Sequence, residues 1–271
     1  MQTQDGLIAS LDERGVARVV IDRPSRKHSL DTVTSAAFIE LLEGWARNDA
    51  VRVVVIGAAG RDFCTGADIV DMATATPPRT ADEARDRAER TIDNGCHLVR
   101  AVRGLDVPVI SVVGGAAVGI GASIAFASDL VYASTESYFL LAFVNIGLMP
   151  DGAATATVAA AVGRARANEL ALLGERLPAQ HAYADGLVTA AVAPDALADK
   201  VDQVVEKLLA ASPRALALTK KALDAQTLAG FDHALELERD GQIELLQSPE
   251  FAALITAFAG SKTAQRTPAP H

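Results

Sequence analysis

Residues 107–128 carry no charged side chain. An uncharged run of about 20 residues is the length of a membrane helix. Its contents rule that reading out. Pro108 stands at its start, and Gly114, Gly115, Gly119 and Gly121 interrupt its middle. The stretch reads instead as a buried strand, a glycine turn and a buried helix. A second segment has the same form. Residues 51–56 are, apart from Arg52, an apolar run of β-branched side chains, residues 57–66 form a loop, and the segment closes on Phe63–Cys64–Thr65–Gly66–Ala67–Asp68. Two strand–glycine loop units of this kind point to an α/β chain with a buried sheet.

The 271 residues suffice for one large domain or a domain with an appendage. Half are hydrophobic but only 4% are aromatic, so the core must be built from Ala, Val, Leu and Ile. The net charge is −9 and no long basic run occurs, which excludes a nucleic-acid footprint. Cys64 and Cys96 are isolated and match neither a disulfide framework nor a zinc spacing. Met1 to Gln4 is polar and Asp5 follows, so no signal peptide is expected. Both features fit a cytoplasmic protein.

Alternation predicts strands over 7–11 and 16–21 around a turn at 12–15, with Pro24 ending the second. Asp31 or Thr32 can cap a helix to about Arg47, with Phe38, Leu41, Leu42 and Trp45 on one face. Helical periods follow over 81–103, 119–128 and 151–162, and strands over 107–113, 130–133 and 187–192. Beyond Pro194 the pattern is helical to 258, broken at Ser212–Pro213, Gly230 and Ser248–Pro249. A soft boundary is placed near 195. The polar, proline-containing tail from Thr263 is expected to fray.

The glycine loops suggest chemistry. Helix N-termini leave unpaired N–H groups and carry positive partial charge, so two facing one cavity would stabilise an anion. The plainer alternative is that the glycines only allow close helix–strand contact. The loop at 114–121 has no Gly-x-Gly-x-x-Gly dinucleotide fingerprint and no Gly-x-Ser-x-Gly nucleophile elbow.

These segments resemble the two oxyanion-hole loops of the enoyl-CoA hydratase/isomerase (crotonase) family. Phe63 to Asp68 is similar to its F-x-x-G-A-D motif, and residues 113–130 to its strand–glycine–helix segment. Asp22–Arg23–Pro24 with Ser29–Leu30 is similar to its coenzyme A loop. Residues 146–173, including Gly163–Arg164–Ala165–Arg166–Ala167, resemble the helix that follows its second loop, and Ala184–Asp185–Gly186–Leu187–Val188 its A-x-x-x-G-L-V. The matches run in family order over about residues 5–195.

The resemblance implies an α/β crotonase-like spiral of ββα units. Its core, 1–195, would bind acyl-CoA and carry the oxyanion hole, and a helical region, 196–271, would assemble subunits. It implies a homotrimer or a dimer of trimers, an acyl-CoA thioester as the partner, and no metal, redox cofactor, nucleic acid or membrane. The Ala67 and Ile120 N–H groups would form the oxyanion hole. Ile120 stands where the family usually has glycine. Contacts to the acyl-CoA are implied for Arg23, Arg26, Lys27, Gly66, Asp68, Ile69, Gly119, Phe143, Phe258 and Lys262. His28 stands where the family usually has asparagine. Met72, Ile120, Leu141 and Phe143 would shape the acyl pocket.

Family hydratases use two glutamates. This chain has Ser123 and Phe143 at those positions, and neither can act as a carboxylate base. Two-glutamate hydration is therefore not expected. Asp151, in Met149–Pro150–Asp151–Gly152, lies where isomerases of the family place an aspartate base. From spacing alone, Pro–Asp–Gly before a helix is equally a capping signal. The segment also resembles the 4-chlorobenzoyl-CoA dehalogenase branch, where this aspartate is a nucleophile helped by a histidine; here His97 is offset by one residue and Cys96 takes the expected place. Cys64 reads as a small buried hydrophobe. The favoured expectation is double-bond isomerisation with Asp151 as acid and base. A hydrolase or dehalogenase-like enzyme and a non-catalytic acyl-CoA scaffold remain as alternatives.

Overall fold

The chain opens as an antiparallel ribbon, β1 (Gln2–Gln4), β2 (Leu7–Leu11) and β3 (Val16–Ile21), and then alternates strands with helices. There follow α1 (Thr32–Ala46), β4 (Val53–Ala58), α2 (Ile69–Thr74), α3 (Ala81–Arg103), β5 (Val109–Val113), β6 (Ala116–Val118), α4 (Ile120–Ala127), β7 (Leu130–Ser134) and β8 (Tyr138–Leu140). Next come α5 (Ala154–Leu173), β9 (Leu177–Pro178), α6 (Ala179–Ala184) and β10 (Ala190–Val192). Four helices close the chain: α7 (Leu197–Ala210), α8 (Pro213–Thr227), α9 (Phe231–Leu246) and α10 (Pro249–Ala264). This computed structural model describes residues 2–76 and 78–264. The side chains of Phe258 and Lys262, and the tail after residue 264, lie outside the described residues.

The main sheet has the order β1-β2-β3-β4-β5-β7-β10, and all pairs from β3 to β10 are parallel. Parallel strands need crossovers, and the intervening helices supply them. The period-2 alternation of β4 divides its side chains between two layers. Val54 and Ile56 pack with Phe38, Leu42, Leu98, Val102 and Ile124 from α1, α3 and α4. Val53 and Val55 pack with Ile110, Tyr132 and the α7 residues Leu197, Val201 and Val205. Each such aliphatic side chain contributes about 1.5–3 kcal/mol by leaving water. A three-stranded sheet, β6-β8-β9, stands beside the main one.

Local chemistry sets most boundaries. Asp31 caps α1 by accepting from Thr34 N–H at 2.8 Å. Pro213, Gly230 and Pro249 stand at the starts of α8, α9 and α10, where the sequence breaks place them. The strand expected from residue 107 begins at Val109, because Pro108 has no N–H and offers only its carbonyl, to Val54 N–H at 2.9 Å. The strand expected over 187–192 shortens to Ala190–Val192, because the Leu187 and Val188 N–H groups donate to Ala182 and close α6. The strands β6, β8 and β9 and the six-residue helices α2 and α6 are too short to show a period in the sequence.

The helix expected over 151–162 starts later, at Ala154, and continues to Leu173 through a break at Gly163, whose φ is +74°. Behind it, α9 packs on α3 and α5. Helix α8 buries no residue; Lys220 ties it down by reaching Asp129 at 2.8 Å and the Val107 carbonyl at 3.2 Å.

Candidate active site

The two glycine loops meet. A Cβ placed on Gly66 would lie 3.0 Å from the Val118 carbonyl oxygen and 3.8 Å from Gly119 Cα. Gly66 has φ +93° and Gly119 has φ +55°, conformations that glycine adopts freely. Their neighbours Ala67 and Ile120 therefore sit on adjoining turns. Leu30 pairs with this turn on one side, donating to Gly66 O at 2.8 Å and accepting from Asp68 N–H at 2.9 Å. Peptide groups alternate in direction along an extended strand, so the Ala67 N–H faces away from Leu30. Ile120 is the first residue of α4, and the N–H groups of a first helical turn have no intrahelical partner. The preceding N–H, of Gly119, is taken by Leu140 O at 2.9 Å. Ala67 is exposed, Ile120 is buried, and the Phe143 ring stands against Gly119.

A bracing network joins the first loop to the Asp22–Leu30 segment. The Arg23 guanidinium donates to the Ser29 carbonyl, reaches Asp31 at 2.6 Å and reaches Asp68 at 3.4 Å. Arg26 lies 3.5 Å from Asp68 and 3.3 Å from Asp71. Asp68 also caps α2 through Asp71 N–H at 3.3 Å. The buried His28 ring accepts from Arg23 N–H at 3.1 Å. Arg23 and Asp68 thus hold the loop in shape. Lys27 is exposed beside it, in a left-handed turn with φ +51°, and its carbonyl accepts from Thr65 at 3.1 Å. Ile69 opens α2 at the same mouth and is half-buried.

Asp151 approaches from the far side. A Cβ on the adjacent Gly152 would meet Ile120 Cδ1 at 2.7 Å, Ser123 Cβ at 2.8 Å and Val99 Cγ2 at 3.0 Å. Ser123 Oγ donates to the Asp151 carbonyl at 2.7 Å. The Asp151 carboxyl has one partner: Oδ2 accepts from Gln242 Nε2 at 3.2 Å, while Oδ1 is buried with no hydrogen bond. Burial, joined by the negative charge of Glu238, pushes this carboxyl up to about 8 against the weaker pull of the Gln242 amide.

Asp151 does not cap α5. The cap is supplied from 85 residues away: Glu238 on α9 accepts from Ala153 N–H at 2.6 Å, from Thr155 N–H at 2.9 Å and from Thr155 Oγ1 at 2.6 Å. The left-handed turn at Gly152 and Ala153 (φ +67° and +57°) makes this possible by turning both N–H groups toward α9. Glu238 and Gln242 are fully buried and were not foreseen from the sequence. A signal did exist. Leu235, Glu238 and Gln242 recur at three and four residues, so the two polar side chains occupy an otherwise apolar stripe.

His97 points away from the site, exposed and bonded to Glu43 at 2.8 Å. Its neighbour Cys96 faces inward with Ala153, Leu235 and Ile243. Burial, and then the Asp151 charge, push its thiol up to about 12. Cys64 is buried as well, also pushed up to about 12 by burial. Met72 is half-buried and Leu141 buried.

Known proteins resemble this chain along nearly its whole length. The enoyl-CoA hydratase/isomerase family profile matches residues 12–265. The chain is 34% identical to the 1,2-epoxyphenylacetyl-CoA isomerase of Escherichia coli (strain K12), over 96% of this chain and 98% of that one. It is 35% identical to a probable enoyl-CoA hydratase of Rhodobacter capsulatus, over 90% and 91% of the two chains. The crystal structure of an enoyl-CoA hydratase from Mycobacterium avium subsp. paratuberculosis K-10 superposes with a TM-score of 0.84 and 43% identity, covering 98% and 99% of the chains. With the meeting glycine loops, the parallel sheet and these full-length matches together, the chain belongs to the enoyl-CoA hydratase/isomerase family and has the crotonase fold.

Proposed function

We propose that this enzyme moves a double bond along the acyl chain of a coenzyme A thioester, with Asp151 carrying the proton. The observation that carries the reading is the Asp151 Oδ1 atom, buried without a partner, next in sequence to Gly152, which packs against Ile120. The Asp151 carboxylate removes a proton from the carbon next to the thioester of a 3-enoyl-CoA. The electron pair moves onto the thioester oxygen, which the Ala67 and Ile120 N–H groups hold as an enolate; each such donor is worth about 3 kcal/mol. The pair returns to form the conjugated double bond, and the carboxyl gives its proton back two carbons further on. A carboxyl held near 8 is a stronger base than an ordinary aspartate, which suits a carbon acid.

The other named contacts follow. Gly66 and Gly119 let the thioester approach the main chain, and Phe143 and Ile69 wall the acyl group. Arg26 and Lys27 meet the coenzyme A phosphates, while Arg23 and Asp68 shape that loop. The subunits form a trimer or a dimer of trimers through the helical region 196–271. Leu218 and Leu223 on α8 and Leu237 on α9, large and exposed, support that assignment. The protein works in the cytoplasm; no helix among the described residues is long and apolar enough to cross a membrane.

Hydration is disfavoured because Ser123 is engaged with the Asp151 carbonyl and Phe143 has no acid–base group. Nucleophilic attack by Asp151 is disfavoured because His97 faces outward, bonded to Glu43, and offers it no help. The test is to mix the enzyme with a 3-enoyl-CoA in deuterated water and follow isomerisation and exchange next to the thioester. We expect turnover on 3-enoyl-CoA, very little on crotonyl-CoA hydration, and loss of both isomerisation and exchange in Asp151→Asn. Intact acyl-CoA binding with no exchange in the wild type overturns the reading in favour of a scaffold.

A further inference from the structure

The Met149–Thr155 segment is an unusual place to hold a working acid. Two consecutive residues, Gly152 and Ala153, have positive φ, and Ala153 is a non-glycine residue in that region, completely buried. Such a turn persists only when its surroundings over-determine it. The surroundings here are two side chains one helical turn apart on α9. Gln242 Nε2 donates to the Met149 carbonyl at 2.6 Å and to Asp151 Oδ2 at 3.2 Å. Glu238 takes the N–H groups of Ala153 and Thr155 on the other side of Asp151. The two grips bracket Asp151 in sequence and in space. A close approach completes them: a Cβ on Gly241, between the two, would lie 2.2 Å from Met149 Sδ.

Both polar residues could have been apolar if α9 only packed on the core. Neither reaches solvent. Both Glu238 oxygens accept hydrogen bonds, and an ionised carboxylate satisfies all of them. Burial raises the Glu238 carboxyl and the Thr155 and Ala153 donors oppose it, and in its ionised form it stands as a negative charge behind Asp151. The other charged and titratable groups near this corner come from α3: Cys96, whose thiol feels Asp151 and Glu238, and at the outer side of that helix Arg100 and Asp93. Asp93 is engaged by Arg239 at 2.5 Å, and Arg100 lies 3.4 Å from Asp232. Among these groups only Glu238 acts on the Asp151 carboxyl strongly enough to stand beside its burial.

We propose that Glu238 and Gln242 are positioning residues for the Asp151 acid–base step, Glu238 supplying the fixed charge against which the Asp151 proton is held and Gln242 the donor that opposes it. The proposal rests on Asp151 being the acid and base. It assigns a catalytic consequence to a helix from the C-terminal region, and it gives the two residues opposite electrical signs.

The opposite signs make the test. We would measure kcat/KM for 3-enoyl-CoA isomerisation from pH 5.5 to 9.5 in the wild type, Glu238→Gln and Gln242→Met. The rate rises with pH as Asp151 loses its proton, so the midpoint of the rise reports its proton affinity in the free enzyme. Glu238→Gln removes the charge, and its midpoint moves down by about 1 pH unit. Gln242→Met removes the donor, and its midpoint moves up by about half a unit or more. Acyl-CoA KM changes by less than about threefold in both, because neither residue faces the coenzyme. Midpoints that stay within about 0.2 unit of wild type, or that move in the same direction, overturn the proposal whatever happens to kcat. The isotope-filtered infrared carboxyl band of Asp151 in the unmodified protein provides a second reading that needs no folded variant. A protonated band that persists to about pH 7.5 supports the proposal; an ionised carboxylate at pH 6 overturns it. Asp151→Asn separates the two claims: if it keeps exchange activity, the assignment of the base fails, whereas lost exchange with unmoved midpoints fails only the positioning role.

Discussion

Ser123 Oγ donates to the main-chain carbonyl of Asp151 at 2.7 Å, binding the first turn of one helix to the entry of another across 28 residues. By the family resemblance Ser123 stands where hydratases place a glutamate, and here it is a strut for Asp151, the base proposed above. Hydroxyl and carboxyl roles are not interchangeable at this point, because the Ser123 side chain is fully buried and already bonded. Ser123→Ala should cost about 0.5–1.5 kcal/mol of stability. Isomerase kcat should fall about tenfold with KM unchanged, since the loss moves the base and not the coenzyme. Steady-state kinetics with thermal melts measure both; an unchanged kcat would show that the strut is dispensable.

Stability should depend on pH through Asp151. Its carboxyl is raised from 3.8 to about 8 in the folded protein, by burial first and Glu238 second. Below about pH 4 the folded and unfolded states are both protonated and the group has no effect. Between about pH 4 and 8 the unfolded chain loses this proton while the folded one keeps it, so stability falls as pH rises. Asp151→Asn cannot ionise and escapes the loss. It should match the wild type near pH 4 and exceed it by on the order of 2–5 kcal/mol at pH 8. Denaturant melts of the two proteins across that range check the sign; a gap that narrows with pH contradicts the buried acid.

The glycine contact between the loops should be intolerant of a single methyl group. Gly66→Ala places a Cβ 3.0 Å from the Val118 carbonyl oxygen at a φ of +93° that alanine rarely adopts. We expect a loss of about 1–3 kcal/mol in stability. On the function proposed above, isomerase kcat should fall about a hundredfold, because the turn carrying the Ala67 N–H is pushed off the Val118–Gly119 turn. Gly60→Ala, where the added methyl meets nothing within 4 Å, is the control for the positive-φ strain alone. Equal effects on kcat in the two variants would remove the case for convergence.

The cations of the 23–27 segment should divide by role. Arg23 is largely buried and engaged with Ser29, Asp31 and Asp68. Arg23→Met should therefore lower stability by about 1–3 kcal/mol and disturb binding only as a consequence. Lys27 is exposed and joins none of these pairs. Lys27→Ala should leave stability within about 0.5 kcal/mol of wild type and weaken coenzyme A binding about threefold to tenfold, the difference shrinking in salt. Calorimetric titration with coenzyme A, paired with melts, separates the two; weakened binding by Arg23→Met with undiminished stability would reverse the assignment.

The sequence alone determined what depends on neighbours a few residues apart. The β-branched run at residues 51–56, the Asp31 cap and the breaks at Pro213, Gly230 and Pro249 are local rules of sterics and hydrogen bonding, and the structure follows them. The glycine loops were legible for the same reason, since Gly66 and Gly119 adopt backbone angles that few other residues tolerate. The tertiary structure alone decided that Asp151 is not the cap of α5. Its motif satisfies the rule for a helix cap, and only the arrival of Glu238 from 85 residues away takes that task from it. The same packing turned Cys96 inward and His97 outward, and it brought Gln242 to Asp151 across 91 residues. Such contacts follow from how helix faces bury one another, and a helical period states which face is apolar without naming the surface it will meet.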